Sequence, residues 1–182
     1  MDKWEVGVLG DSISHGGGHF SFGPADFEFS YLTYLNFPTI NLSQSGDTAQ
    51  MTRDRFEKDV LPFHPHYLLI MTGSNSLRAG EDPQVVIGCL KDIQRMCLEN
   101  NIAPILLTLP AINPDNIQHI FKEKTAPDWL QRFAAVNAYI RTQVYIDTAA
   151  AIESPGGRLP TIYGLDGLHP DASGKKLMGE KI

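Results

Sequence analysis

Four short segments of this chain carry side chains suited to acyl transfer: Gly10-Asp11-Ser12, Ser45-Gly46-Asp47-Thr48, Gly73-Ser74-Asn75-Ser76 and Asp166-Gly167-Leu168-His169-Pro170. A serine hydroxyl is a weak nucleophile until a base takes its proton. His169 suits that base, because an imidazole with a reference pKa near ~6.5 is largely neutral at pH 7. Asp166 stands three residues before it and can accept a hydrogen bond from the other ring nitrogen, which fixes tautomer and ring direction. The resulting tetrahedral oxyanion needs donors. Backbone N–H groups at Ser12 and Gly46 and the amide of Asn75 are candidates, and each such donor is typically worth on the order of 10²–10³ in turnover.

The elements that would bring these segments together are visible as short apolar runs. Val6–Leu9, Thr39–Leu42, Tyr67–Thr72, Pro104–Leu109 and Val144–Asp147 are continuous rather than alternating, the pattern of parallel strands covered on both faces. Helical stretches separate them. The clearest starts at Asp82-Pro83, a cap followed by proline at the first helical position. Its Val86, Leu90, Ile93 and Cys97 recur at helical spacing. A second helix is expected over Asp128–Arg141 with Leu130, Phe133, Val136 and Ile140 inward, a third after Gly46-Asp47-Thr48, and a short last one after Asp171. The join Arg141-Thr142-Gln143 to Val144 has neither glycine nor proline, so an abrupt turn is expected there. Strands alternating with helices imply a three-layer α/β/α sandwich. In an open parallel sheet, ligands bind beyond the carboxyl ends of the strands, and the first three chemistry-bearing segments follow predicted strands. With no repeat or linker-like stretch, residues 1–182 are expected to form a single domain.

At 182 residues with 42% hydrophobic and 20% charged side chains, the chain can bury an ordinary core without disulfides or metals. A net charge of −6 and pI near 5.4 argue against nucleic acid or an anionic membrane surface as the main partner. Lys175-Lys176 is too short a basic run to alter that. Cys89 and Cys97, eight apart on one helix, would lie about 12 Å apart along its axis, too far for a disulfide. No apolar run is long enough to span a bilayer. The start Met1-Asp2-Lys3-Trp4 lacks a signal-peptide apolar region. A cytoplasmic location is therefore expected, with secretion following only where a leader has been removed. Oligomeric state is not legible.

Gly10-Asp11-Ser12, Gly46 in Ser-Gly-Asp-Thr, Asn75 in Gly-Ser-Asn and Asp166-x-x-His169 together resemble the four blocks of the SGNH, or GDSL-type, hydrolases, in the family's order and across nearly the whole chain. The resemblance implies a flavodoxin-like strand order 2-1-3-4-5 and hydrolysis of esters or thioesters at a shallow site. It also implies a triad of Ser12, Asp166 and His169 and an oxyanion hole of Ser12, Gly46 and Asn75. The expected reaction runs through an acyl-enzyme on Ser12, with a small-molecule ester as substrate and no cofactor or metal. Two positions depart from the family pattern. Ile13 follows the serine where leucine is usual, and Ser76 stands where aspartate is most frequent; the second should affect loop support more than chemistry.

Other readings compete. Carbohydrate O-deacetylation uses the same blocks. A catalytically silent ligand-binding domain would keep the fold, but the intact Ser12, Asn75, Asp166 and His169 argue against it. A flavodoxin-like nucleotide binder would need a phosphate loop. Gly16-Gly17-Gly18 satisfies neither nucleotide-binding glycine pattern and reads as a flexible lip beside Ser12. The nucleophile elbow G-x-S-x-G is absent. His15-Gly-Gly-Gly-His19 has metal-pair spacing but too much glycine for a helix, and His64-Pro-His66 lacks a third ligand; both read as loop histidines. Phe20, Phe22, Phe27, Phe29, Tyr31, Tyr34 and Phe37 are too dense for a solvated loop. Helix-to-sheet packing is expected for them, with Phe20 or Phe22 as candidates for an acyl or alcohol pocket.

Overall fold

A computed structural model describes residues 5–16 and 27–182. Five parallel strands form one sheet in the order β2-β1-β3-β4-β5: β1 Val6–Gly10, β2 Thr39–Asn41, β3 Tyr67–Met71, β4 Ala103–Leu107 and β5 Tyr145–Ile146. Both the parallel arrangement and the strand order match expectation. Four of the five strands end before their apolar runs do, because the chain leaves the sheet there to build loops, while β1 continues one residue further to Gly10. In the central pair, Val6 lies opposite Tyr67 and Gly10 opposite Met71. The segments after β1 and β3 therefore emerge side by side.

Val8, Leu9, Leu68, Ile70, Met71, Leu106 and Leu107 are all buried. At about 1.5–3 kcal/mol for each large apolar side chain removed from water, this set dominates the favourable side of folding. Gly10 is required by close approach, since a Cβ there would run into Met71 O and lie 2.8 Å from Ser14 Oγ.

Among the described residues, eight α-helices accompany the sheet: α1 Ser12–His15, α2 Ala49–Asp54, α3 Phe56–Asp59, α4 Ser74–Arg78, α5 Pro83–Glu99, α6 Pro114–Phe121, α7 Trp129–Ile140 and α8 Ala172–Lys181. The Asp82 carboxylate caps α5 by accepting from Gln84 N at 2.8 Å, and the predicted stripe Val86, Leu90, Ile93 and Cys97 is fully buried. Cys89 and Cys97 are free thiols, and burial pushes Cys97 up to about 12. α7 corrects one expectation. Its buried face is Trp129, Phe133, Val136, Asn137 and Ile140, whereas Leu130 is 45% exposed. Starting the stripe one residue earlier gives i, i+4, i+7, i+8 and i+11 spacing, which turns Leu130 off the core face. Leu130 instead borders a groove of about 120 Å³ with Leu109, Trp129 and Phe133.

The abrupt turn after α7 is made with Thr142 N donating to Tyr139 O and Gln143 N to Ile140 O. Arg141 then pairs with Asp147 across it. α2, α5 and α7 pack side by side, while α8 packs on the 3₁₀ turns Phe27–Phe29 and Tyr31–Tyr34. The described turns of the aromatic segment are thus docked on a helix. Tyr31 is completely buried there, its hydroxyl 2.7 Å from Ser14 Oγ. Phe20 and Phe22 lie outside the described residues, as do Gly17, Gly18 and His19. Among the described residues no helix is long and apolar enough to cross a membrane.

Candidate active site

β1 ends at Gly10, and the next residues close at once into α1, a single helical turn. Asp11 caps it by accepting from Ile13 N at 3.0 Å, which makes Ser12 the first residue of a helix rather than a residue of an open turn. Its N–H has no carbonyl one turn back within the helix. Burial pushes the Asp11 carboxyl up to about 6, against the Ile13 N–H and the charges of His169 and Lys175.

The Ser12 hydroxyl lies 2.8 Å from His169 Nε2. On the other side of the ring, His169 Nδ1 lies 2.8 Å from Asp166 Oδ2. Asp166 is fully buried, and its second oxygen accepts from Leu168 N at 2.8 Å and His169 N at 2.7 Å. Burial alone would raise this carboxyl. The bond and charge of His169 and the two backbone N–H groups overcome that and hold it below the ordinary carboxylate range. An ionised carboxylate can only accept, so the Nδ1 proton faces Asp166 and Nε2 presents its lone pair to Ser12. The serine O–H is then the donor to His169. Ser12 is 8% exposed as a residue and the His169 side chain 12%. Phe121 at the end of α6 meets the imidazole edge-on at 6.3 Å between ring centres. Neither α6 nor Phe121 was anticipated from the sequence, although Asn113-Pro114 carries the signal of a capped helix start.

Gly46 sits exposed in the turn between β2 and α2. Asn75 is the second residue of α4, and its Nδ2 donates to Asp47 O at 2.9 Å. Arg78 Nε donates to Asn75 Oδ1 at 3.4 Å, which orients the amide with its nitrogen toward the Gly46 loop. One Nδ2 hydrogen serves Asp47 and the second is left for another acceptor. Ser76, the departure in the third block, accepts from Ala49 N at 3.1 Å and so ties α4 to the first residue of α2.

Sequence reasoning missed Arg55. This side chain donates to Asp47 Oδ2 at 2.6 Å, Leu42 O at 2.6 Å and Gly10 O at 3.0 Å. It fastens the Gly46 loop to the end of β1. Two other histidines bond elsewhere: His15 Nδ1 lies 3.1 Å from Ser45 Oγ, and His66 faces Glu5 at the opposite edge of the sheet. Among the described residues, no three His, Cys, Asp or Glu side chains gather as metal ligands.

The GDSL-like Lipase/Acylhydrolase family matches residues 8–177, which contain all four blocks. The chain belongs to that family. This GDSL-like chain also shares its fold with solved structures at low identity. A GDSL-like lipase from Bacteroides thetaiotaomicron superposes with a TM-score of 0.75 at 21% identity, over 97% of this chain and 84% of the other. The lipase/acylhydrolase from Enterococcus faecalis gives 0.74 at 20% identity, over 98% and 92%. A variant of an acetyl-xylooligosaccharide esterase from Geobacillus gives 0.67 at 19% identity, over 98% and 91%. At these identities the likeness concerns the fold. No curated protein sequence matches this chain.

Proposed function

We propose that residues 1–182 form one serine esterase domain that cleaves carboxylic esters through an acyl-enzyme on Ser12. The observation that carries this reading is the continuous relay Ser12 Oγ–His169 Nε2 and His169 Nδ1–Asp166 Oδ2, each link 2.8 Å. His169 takes the serine proton as Oγ attacks the ester carbonyl carbon. It then passes that proton to the leaving alcohol oxygen as the carbon–oxygen bond breaks. In the second half it takes a proton from water, whose oxygen attacks the acyl carbon, and returns it to Ser12. Asp166 stays ionised throughout, fixing the ring and stabilising the imidazolium. The Ser12 N–H, the Gly46 N–H and the free Asn75 Nδ2 hydrogen are assigned to the oxyanion.

Hydrolysis of p-nitrophenyl acetate and butyrate by the wild type and Ser12→Ala tests the reading. Turnover should vanish in the variant while its thermal transition stays within a few degrees. Full activity in folded Ser12→Ala overturns the mechanism. An inactive wild type that also resists a fluorophosphonate probe would favour a silent binding domain instead. Acetylated xylooligosaccharide belongs in the substrate panel, because one fold relative is named for that substrate. A strong preference for it would make carbohydrate deacetylation the specific activity.

A further inference from the structure

α1 is one turn long, so its last carbonyls have no following turn to accept from. Ser12 O accepts from Gly16 N at 3.2 Å, Ser14 O from Ser30 Oγ at 3.2 Å, and His15 O from Asn41 Nδ2 at 3.0 Å. The remaining one, Ile13 O, is taken by Lys175 Nζ. The same nitrogen donates to Phe29 O at 2.7 Å. Lys175 is fully buried, although its neighbour Lys176 is 61% exposed and faces Glu180.

Lysine is almost never buried without a partner, and taking its charge out of water is costly. A side chain kept there despite that cost needs a reason beyond packing. Its location supplies one. Lys175 lies on α8, six residues after His169, and its acceptor Ile13 is the residue next to Ser12. The bond therefore joins the two segments whose approach creates the Ser12–His169 contact.

We propose that Lys175 is a positioning residue, which grips Ile13 O and Phe29 O and so holds the Ser12 turn within proton-transfer distance of His169. The proposal rests on the reading of Ser12 as nucleophile. A cation is favoured at the C-terminal end of a helical turn, and Asp11 and Asp166 also draw positive charge there. Burial nevertheless pushes Lys175 down to about 7. The grip survives loss of a proton, because a neutral amine keeps two N–H donors for its two carbonyls.

Lys175→Met keeps an unbranched stem and removes the donors, but it leaves Asp11 without its neighbouring cation. The double variant Asp11→Asn/Lys175→Met, compared with Asp11→Asn, removes both charges together and retains an acceptor for Ile13 N. Each protein is melted, assayed for kcat and KM on p-nitrophenyl acetate, and timed for labelling by a fluorophosphonate located by peptide mass spectrometry. The expected result is a loss of at least tenfold in kcat and in labelling rate, with KM within twofold of the parent. A smaller loss in folded protein, or a loss confined to KM, overturns the grip. If Lys175→Met alone does not fold, the double variant carries the comparison. A wild type that is not labelled at Ser12 defeats the nucleophile assignment, which separates that failure from failure of the grip.

Discussion

Replacing Asp166 by asparagine preserves the side-chain shape and changes which atoms can accept. Asp166 Oδ1 receives two backbone N–H groups, from Leu168 at 2.8 Å and His169 at 2.7 Å. An asparagine must keep its carbonyl oxygen there, because turning its NH₂ toward two buried donors would orphan both, at about 1–3 kcal/mol each. The NH₂ then faces His169 Nδ1 across the 2.8 Å gap now spanned by Asp166 Oδ2. Two donors cannot share that gap, so the imidazole moves its proton to Nε2. The nitrogen 2.8 Å from Ser12 Oγ becomes a donor and can no longer accept the serine proton.

A wrong tautomer of this kind costs on the order of 10³–10⁴ in turnover, or about 4–5.5 kcal/mol in the barrier at 1.36 kcal/mol per tenfold. Asp166→Ala is the informative companion. It frees the ring to choose its tautomer but leaves Leu168 N and His169 N unsatisfied. We expect Asp166→Asn to be the more stable of the two and no more active than Asp166→Ala. Esterase kinetics beside thermal melts check this, with each kcal/mol corresponding to roughly 2–4 °C in a chain of this size. Folded Asp166→Asn retaining more than about a tenth of wild-type kcat/KM would refute the tautomer argument.

Asn75→Ala removes the proposed oxyanion donor and the tie to Asp47 O, so kcat should fall on the order of 10²–10³. A loss under threefold on p-nitrophenyl acetate would take Asn75 out of the site. Gly167→Ala places a Cβ at φ +80°, against Asn113 O and 2.7 Å from Asn116 Cβ, and the αL penalty alone is about 1–2 kcal/mol. Its Tm should drop by several degrees, and a melt unchanged within 2 °C would contradict the packing. Stability should also depend on pH through Lys175. Its folded value near 7 lies below the 10.5 of an exposed lysine, so above pH 7 the unfolded chain holds the extra proton and stability rises with pH. Between pH 7 and 8.5 that rise approaches about 2 kcal/mol, and urea melts should show it in the wild type but not in Lys175→Met. Parallel profiles for the two proteins would count against it. Asp11 acts in the opposite sense lower down: its value near 6, raised from 3.8, makes stability fall as pH climbs between those two values.

The sheet was legible because its strands are buried on both faces and read as unbroken apolar runs, and α5 because Asp82-Pro83 states where it begins. Chemistry-bearing residue types were legible because an open parallel sheet gathers its loops at one edge. Other features depend on phase or partners. Whether Trp129 or Leu130 faces inward is a matter of 100° of rotation, and both are large and apolar. Lys175 shares helical phase with the buried Met178 and Gly179. That pattern was available, but a lysine is ordinarily assigned to the surface. α6 offers only Ile117, Ile120 and Phe121 as large apolar side chains, too few for a stripe to stand out. The one-turn helices at Ser12 and Ser74 are too short to show periodicity, and only the first has a side-chain cap, from Asp11.

Those one-turn helices show where positional accuracy originates. Apolar packing fixes the strands and reaches into the two short helices through Ile13 and Leu77 alone. From there, placement rests on side chains bonded to backbone groups of other segments. Arg55 reaches Gly10 O and Leu42 O, Ser76 reaches Ala49 N, Asn75 reaches Asp47 O, and Lys175 reaches Ile13 O. Each bond ties a main-chain group of one segment to a side chain of another, and each is directional where dispersion is not. Their net worth is about 0.5–1.5 kcal/mol for the neutral donors and about 1.5–3 kcal/mol where Arg55 or Lys175 donates. Proton transfer across 2.8 Å is far more sensitive, since a 1 Å misplacement can cost on the order of 10² in rate. Substitutions at Ser76 and Lys175 should therefore separate the two quantities, reducing turnover more than their effect on folding would suggest. Arg55 also pairs with the buried Asp47, so its loss should lower the melting temperature as well.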